Sequence, residues 1–293
     1  MRLGHRAVNG PGPRGRAFRY AEPVATGERR DGGGRGLFYK IRVAILATIL
    51  FGVALYAVRD VRSRRARKDW ERTLSIALVI VSDGPLAPDA VPALKAQVPA
   101  LEARLASEAA RRDVRSPFSF HVVGPVEHRV PPPAPSGDGI ADLAAHALAS
   151  YRWTSDVDAK TGESLSSYDS RIYLVAHAPR SADRQVVEGV SEDGGRVGTV
   201  VVDLDASMAD LALIVVAHEL FHTLGATDKY DEHGHARVPE GLAEPGRVPL
   251  YPQRFAEIMA RNRPVGPAEE KVPLRIDELA VGDLTAREIG WAP

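Results

Sequence analysis

From Leu74 to Val81 the chain reads LSIALVIV and then meets the turn signal Ser-Asp-Gly-Pro, so the pattern predicts a short buried strand. The period then changes. Between residues 88 and 112 the apolar residues Val91, Leu94, Val98, Leu101 and Leu105 recur at three and four, an amphipathic helix that Pro92 or Pro99 kinks or begins. Residues 118–126 alternate as a strand, and PPPAPSG follows as an extended spacer. Residues 140–151 form a second helix and RIYLVAHA at 171–178 another strand. Residues 185–190 and GTVVVDL at 198–204 read as a strand pair across a Gly-rich turn. A helix, several strands and then a helix bearing a motif indicate an α/β domain with a mixed sheet.

One run differs from all of these. Val43 to Val58 reads VAILATILFGVALYAV, without a charge, between Lys40 and Arg42 on one side and Arg59 on the other. As a helix it rises about 24 Å, which spans a hydrocarbon core of ~30 Å once flanking basic side chains snorkel. A buried core helix would carry polar positions on one face, and a cleavage site of small residues occurs only within the run, at Gly52 and Ala54. The reading is therefore an uncleaved anchor. The chain divides into a disordered basic tail (1–36), a transmembrane anchor (37–60), a charged juxtamembrane segment (61–72) and a folded domain (73–293). The compact opening LFYKIR at Leu37 suggests a start there.

Charge agrees with the anchor. Residues 1–72 hold 17 Lys plus Arg against 6 Asp plus Glu, and the rest of the chain 21 against 32. A basic front beside an apolar span favours membrane head groups over nucleic acid as its partner. Basic residues flank the span on both sides, so the positive-inside rule does not orient it. With no cysteine in the chain, a metal can be held only by His, Asp or Glu.

The chemistry is concentrated in HELFHTLGATD, His218 to Asp228. Ser207 and Asp210 form a capping-box opening, and LALIVVA then leads a buried helix into His218. Residues four apart share a helix face, so His218 and His222 present two imidazoles to one ion, and Glu219 reaches a water held there. Gly225 can end the helix in a left-handed turn that brings Asp228 back towards the same ion. His233 and His235 lie close enough to compete with Asp228, and Glu257 could serve instead as the carboxylate ligand of a thermolysin-like site.

In these residues the chain resembles the metzincin superfamily of zinc peptidases, and within it the snapalysin-like members, whose third ligand is Asp. The resemblance implies Zn²⁺ held by His218, His222 and Asp228, with Glu219 as general base, and a metzincin-like zincin domain with an active-site helix. It further implies a Met-turn at Met259, a C-terminal helix within residues 276–291, and substrate backbone added to an edge strand at 198–204. Tyr230 or Tyr251 would donate to the oxyanion. The substrate would be a peptide or protein, and the catalytic domain would lie on the extracytoplasmic side of a single-pass anchor. Two rivals stand beside this: a zinc hydrolase of another amide, and a surface binding module whose site is vestigial.

Overall fold

The fold is described from a computed structural model, covering residues 33–115, 117–134, 137, 139–179, 189–191 and 194–292. The expected basic tail therefore lies outside the described residues up to 32, as do residues 185–188 of the expected strand pair and part of the PPPAPSG spacer. The chain forms two units, residues 1–55 and 56–293. Through the first runs α1 (Gly33–Ala66), longer at both ends than the apolar run alone. Its apolar side chains are exposed, Leu46, Leu50, Phe51 and Leu55 among them. It is the one helix among the described residues long and apolar enough to cross a membrane, a property shared by N-terminal signal sequences.

The second unit is built on a five-stranded sheet. Its elements are β1 (Leu74–Ser82), α2 (Ala90–Ala110), β2 (Phe118–Glu127), α3 (Ile140–Thr161), β3 (Ser170–His177), β4 (Gly189–Ser191), β5 (Val197–Asp203), α4 (Ala209–Thr223) and the short α5 (Asp283–Glu288). Strand order is β2-β1-β3-β5-β4. The first four are parallel, and β4 pairs antiparallel with β5 at the edge. The expected mixed sheet is present, but β5 is an interior strand. The edge is β4, which pairs antiparallel along the open side of β5.

Why β1 is a continuous apolar run is visible in its two faces. Leu74, Ile76, Leu78 and Ile80 pack with α2 and α4, whereas Ala77, Val79 and Val81 pack with Trp153 and Val157 of α3. A parallel sheet covered on both faces leaves no solvent side to alternate towards. Strand β5 is covered less fully on the α3 face and does alternate, with Val200 and Val202 buried and Thr199, Val201 and Asp203 half-buried. Helix α2 keeps Pro99 inside it and Pro92 in its first turn, where a missing N–H costs no bond.

Two helix boundaries correct the sequence reading. Asp205, not Ser207, caps the entry to α4: its carboxylate accepts from the Ser207 backbone N–H, and a single 3₁₀ turn at Ala206–Met208 precedes the helix. The C-terminal helix is present but shorter than the stretch of residues 276–291 that resembles it. Residues 276–278 form a 3₁₀ turn, Leu279–Ala280 pairs with Ala256–Glu257, and only Asp283–Glu288 is α-helical. The polypeptide prefers the extended pairing because it lets the Gly282 N–H donate to the buried Glu257 carboxylate.

Candidate metal centre

Helix α4 packs along the sheet with its last turn at the starts of β3 and β5. There Thr223 Oγ1 lies 2.9 Å from Ser170 Oγ, and the Glu219 Cβ lies 3.3 Å from a Cβ built on Gly198. The helix is apolar almost all round and almost wholly buried, so its few polar groups must be satisfied locally. His218 and His222 stand one turn apart on one face. The helix ends at Gly225, whose φ of +82° favours glycine, and the chain turns back.

The turn brings three ligand atoms together. His218 Nε2 and His222 Nε2 are 3.1 Å apart, and each is 3.2 Å from Asp228 Oδ1. Tetrahedral zinc with ligands at 2.0–2.1 Å requires ligand–ligand edges of about 3.3 Å, close to this triangle. His218 Nδ1 donates to the Ile258 carbonyl and His222 Nδ1 to the Ala226 carbonyl, both at 2.9 Å. A carbonyl only accepts, so each neutral ring carries its hydrogen on Nδ1 and presents a lone pair at Nε2. Two lone pairs and a carboxylate oxygen therefore converge. Asp228 Oδ1 is buried, and no hydrogen bond reaches it. Three acceptors crowded this closely suit a cation, and N,N,O donors suit zinc.

Glu219 completes a His218–Glu219–His222 group whose ligand atoms lie within 4.8 Å of one another. Its carboxylate is 3% exposed. Oε2 accepts from the Ser191 hydroxyl at 2.5 Å, and Oε1 points at Gly189, where an added Cβ would come within 1.9 Å. Only glycine leaves room for this carboxylate beside the edge strand.

Asp228 is fixed from both sides. The Lys229 N–H donates to Met259 O at 2.9 Å, and the Arg237 guanidinium donates to Asp228 O. The Lys229 ammonium is 1% exposed and ends on Thr227 O, Thr227 Oγ1 and Glu288 Oε2, each at 2.7 Å. Glu288 in turn accepts from Thr227 N and Oγ1. Burial pushes the Glu288 carboxyl up, and these bonds reverse it, holding it below the usual range.

The remaining expected residues separate clearly. Tyr230 stacks on His218, with centroids 6.4 Å apart. Burial first, and then the Asp228 charge, push its hydroxyl up to about 12. Tyr251 sits half-buried in the loop that Gln253 staples through Glu244 and Leu250. No hydrogen bond or ring contact joins Tyr251 to the metal group among the described residues. His233 and His235 are exposed and face Glu232 and Glu270, because the turn at Asp231 binds their backbone N–H groups and points their rings away. Glu257 is fully buried and accepts from the backbone of Met259, Ala260 and Gly282. It props the Met259 turn and is spent there. Met259 lies fully buried beside Ile258, whose carbonyl orients His218.

Sequence reasoning missed Ser191, Lys229, Glu288 and Arg67. Each owes its role to a partner far along the chain, a relation no local pattern carries. Scanned against protein-family models the chain matches none, and a search of curated proteins also finds no match. Among solved structures it is similar to the archaemetzincin of Methanopyrus kandleri. That match has 15% sequence identity and a TM-score of 0.34, and covers 74% of this chain and 96% of that one.

Proposed function

We propose that the protein is a zinc-dependent endopeptidase of metzincin type, snapalysin-like in its Asp ligand, held to a membrane by α1 with its catalytic unit on the extracytoplasmic side. The observation that carries this is the convergence of His218 Nε2, His222 Nε2 and Asp228 Oδ1 with both Nδ1 atoms bonded to carbonyls. Zinc, when bound by these three residues, supplies a Lewis acid that acidifies water and polarises a carbonyl. Glu219 takes the proton of the attacking water and returns it to the leaving nitrogen. Ser191 holds the Glu219 carboxylate by Oε2. Tyr230, kept protonated, donates to the oxygen on which negative charge develops.

That the substrate is a peptide is supported by β4, which ends the sheet beside Glu219. An extended backbone can pair there with its scissile carbonyl near the metal group. The Met259 turn supports the ring of His218 through Ile258 O, the role the Met-turn resemblance assigns.

The test is metal analysis and hydrolysis of a mixed peptide library, on the full chain in detergent micelles, for wild type and Glu219→Ala. Bound zinc with turnover only in wild type supports the reading. A wild type without metal overturns the site itself. Zinc with equal, negligible turnover in both proteins would mark a binding module, and activity confined to non-peptide amides would mark another hydrolase.

A further inference from the structure

The segment between α1 and β1, residues 67–73, reads in the sequence as a charged connection. We propose that Arg67 within it is a positioning residue for the candidate metal centre, fixing Gly194 and Gly195, which lead into β5, against the last turn of α4. This rests on the zinc-peptidase reading above, because its consequence is to hold the substrate-binding edge beside Glu219.

Arg67 is 3% exposed, a rare condition for an arginine. Among the described residues its guanidinium ends on no carboxylate. Nη1 donates to Gly195 O at 2.6 Å and Nη2 to Gly194 O at 3.0 Å. Gly194 N–H donates in turn to His222 O at 2.8 Å. On its other side Nη1 lies 3.5 Å from Ser170 Oγ, and Ser170 Oγ is 2.9 Å from Thr223 Oγ1. Thr223 donates its hydrogen to Leu220 O at 2.7 Å, so Ser170 donates to Thr223. The chain of bonds from Arg67 therefore closes on both flanks of His222. Gly194 also lies just beyond Ser191, the residue that holds Glu219.

Burial, and then the charges of Arg196 and Arg64, lower the Arg67 guanidinium to about 10, so it stays charged at neutral pH. A planar fork reaches two successive carbonyls at once, and an ammonium reaches one. Lys68 and Trp70 extend the same attachment to the other side of the centre. Lys68 Nζ donates to Glu288 O at 2.7 Å and Trp70 Nε1 to Ile289 O at 2.8 Å. Glu288 is the residue that secures Thr227 and Lys229 on either side of Asp228.

The experiment compares wild type, Arg67→Lys and Arg67→Ala as full chains in micelles, by backbone hydrogen exchange, zinc content, and KM and kcat on a peptide cleaved by wild type. In Arg67→Ala, exchange at residues 189–191 and 194–203 should rise about tenfold or more while that of β1 is unchanged. KM should rise about tenfold with kcat altered less than about threefold, and zinc should stay at one per chain. Arg67→Lys should fall between. Unchanged exchange at the edge, exchange raised equally in β1 and α2, or full activity in Arg67→Ala would overturn the proposal. Should Arg67→Ala not fold, Arg67→Lys against wild type decides by the same readouts. If wild type cleaves no peptide, the functional reading fails, and exchange with zinc content still decides the role of Arg67.

Discussion

The two sides of the candidate metal centre are held by different physics. On one side His218, Glu219 and His222 sit on α4, where the helix repeat alone puts the two imidazoles on one face and apolar packing on every side keeps the helix in place. On the other, Asp228 and Tyr230 lie on a loop with no regular structure of their own, held by the Lys229–Glu288–Thr227 cluster and by the turn that Glu257 props. A helix carries its geometry within about five residues of sequence. The loop borrows its geometry from partners 30 to 61 positions away. The helix side should therefore tolerate change around it, and the loop side should fail through residues that touch no metal.

The largest effect should come from the helix side. Glu219→Ala should lower kcat/KM by about 10³-fold or more with zinc content unchanged, because it removes the proton-transfer group and no ligand. Loss of zinc together with activity would mean that the carboxylate is itself a ligand.

Next comes the loop side. Lys229→Met leaves Glu288 partly buried without its cation and should cost about 3 kcal/mol of stability, measured by denaturant unfolding. It should also weaken zinc binding about tenfold or more, since a residue fixing Asp228 is lost. The double variant Lys229→Met/Glu288→Gln should recover much of the stability, as expected when a buried pair is replaced as a unit. If the single variant bound zinc as wild type does, the two sides would not differ in the way argued.

Removing the metal should act on both sides at once. Zinc at a thousand times its dissociation constant contributes about 4 kcal/mol, so chelation should lower the thermal midpoint and zinc should restore it. Hydrogen exchange should locate the loosening at residues 226–230 more than in α4. Equal loosening of both would break the comparison.

The smallest effect lies further out on the loop. Arg254 beside Glu244, helped by Arg247, holds that carboxyl at about 2, below its usual 4.5. A depressed carboxyl contributes stability that is fully present above about 4.5 and is lost as pH falls through about 2. Glu244→Gln should thus flatten the acid limb of the thermal midpoint by a small amount, because the pair is largely in water. An unchanged acid limb would remove Glu244 from the account of how the loop is stapled.

Much of this was legible in the chain. The run at residues 74–81, the three-and-four spacing of α2 and the alternation of residues 118–126 specified the strands and helix now observed as β1, α2 and β2, since burial imposes those periods directly. The helical ligands were legible for the same reason. The edge strand was not, because which of β4 and β5 ends the sheet depends on how the Gly-rich turn folds back. Nor was the short α5, where Gly282 serves Glu257 instead of a helix.

By itself, then, the sequence determined that His218 and His222 share a helix face with Glu219 beside them, that no thiol could join them, and that an apolar run precedes the domain. It left four residues, Asp228, His233, His235 and Glu257, open for the third ligand position. Only the tertiary structure separates them in space: Asp231 turns His233 and His235 outward, Glu257 accepts from backbone N–H groups, and Lys229 with Glu288 sets Asp228 against the two imidazoles. The reason is physical. Helical geometry is local and repeats along the sequence, whereas a loop's geometry exists only once its distant polar partners are buried with it.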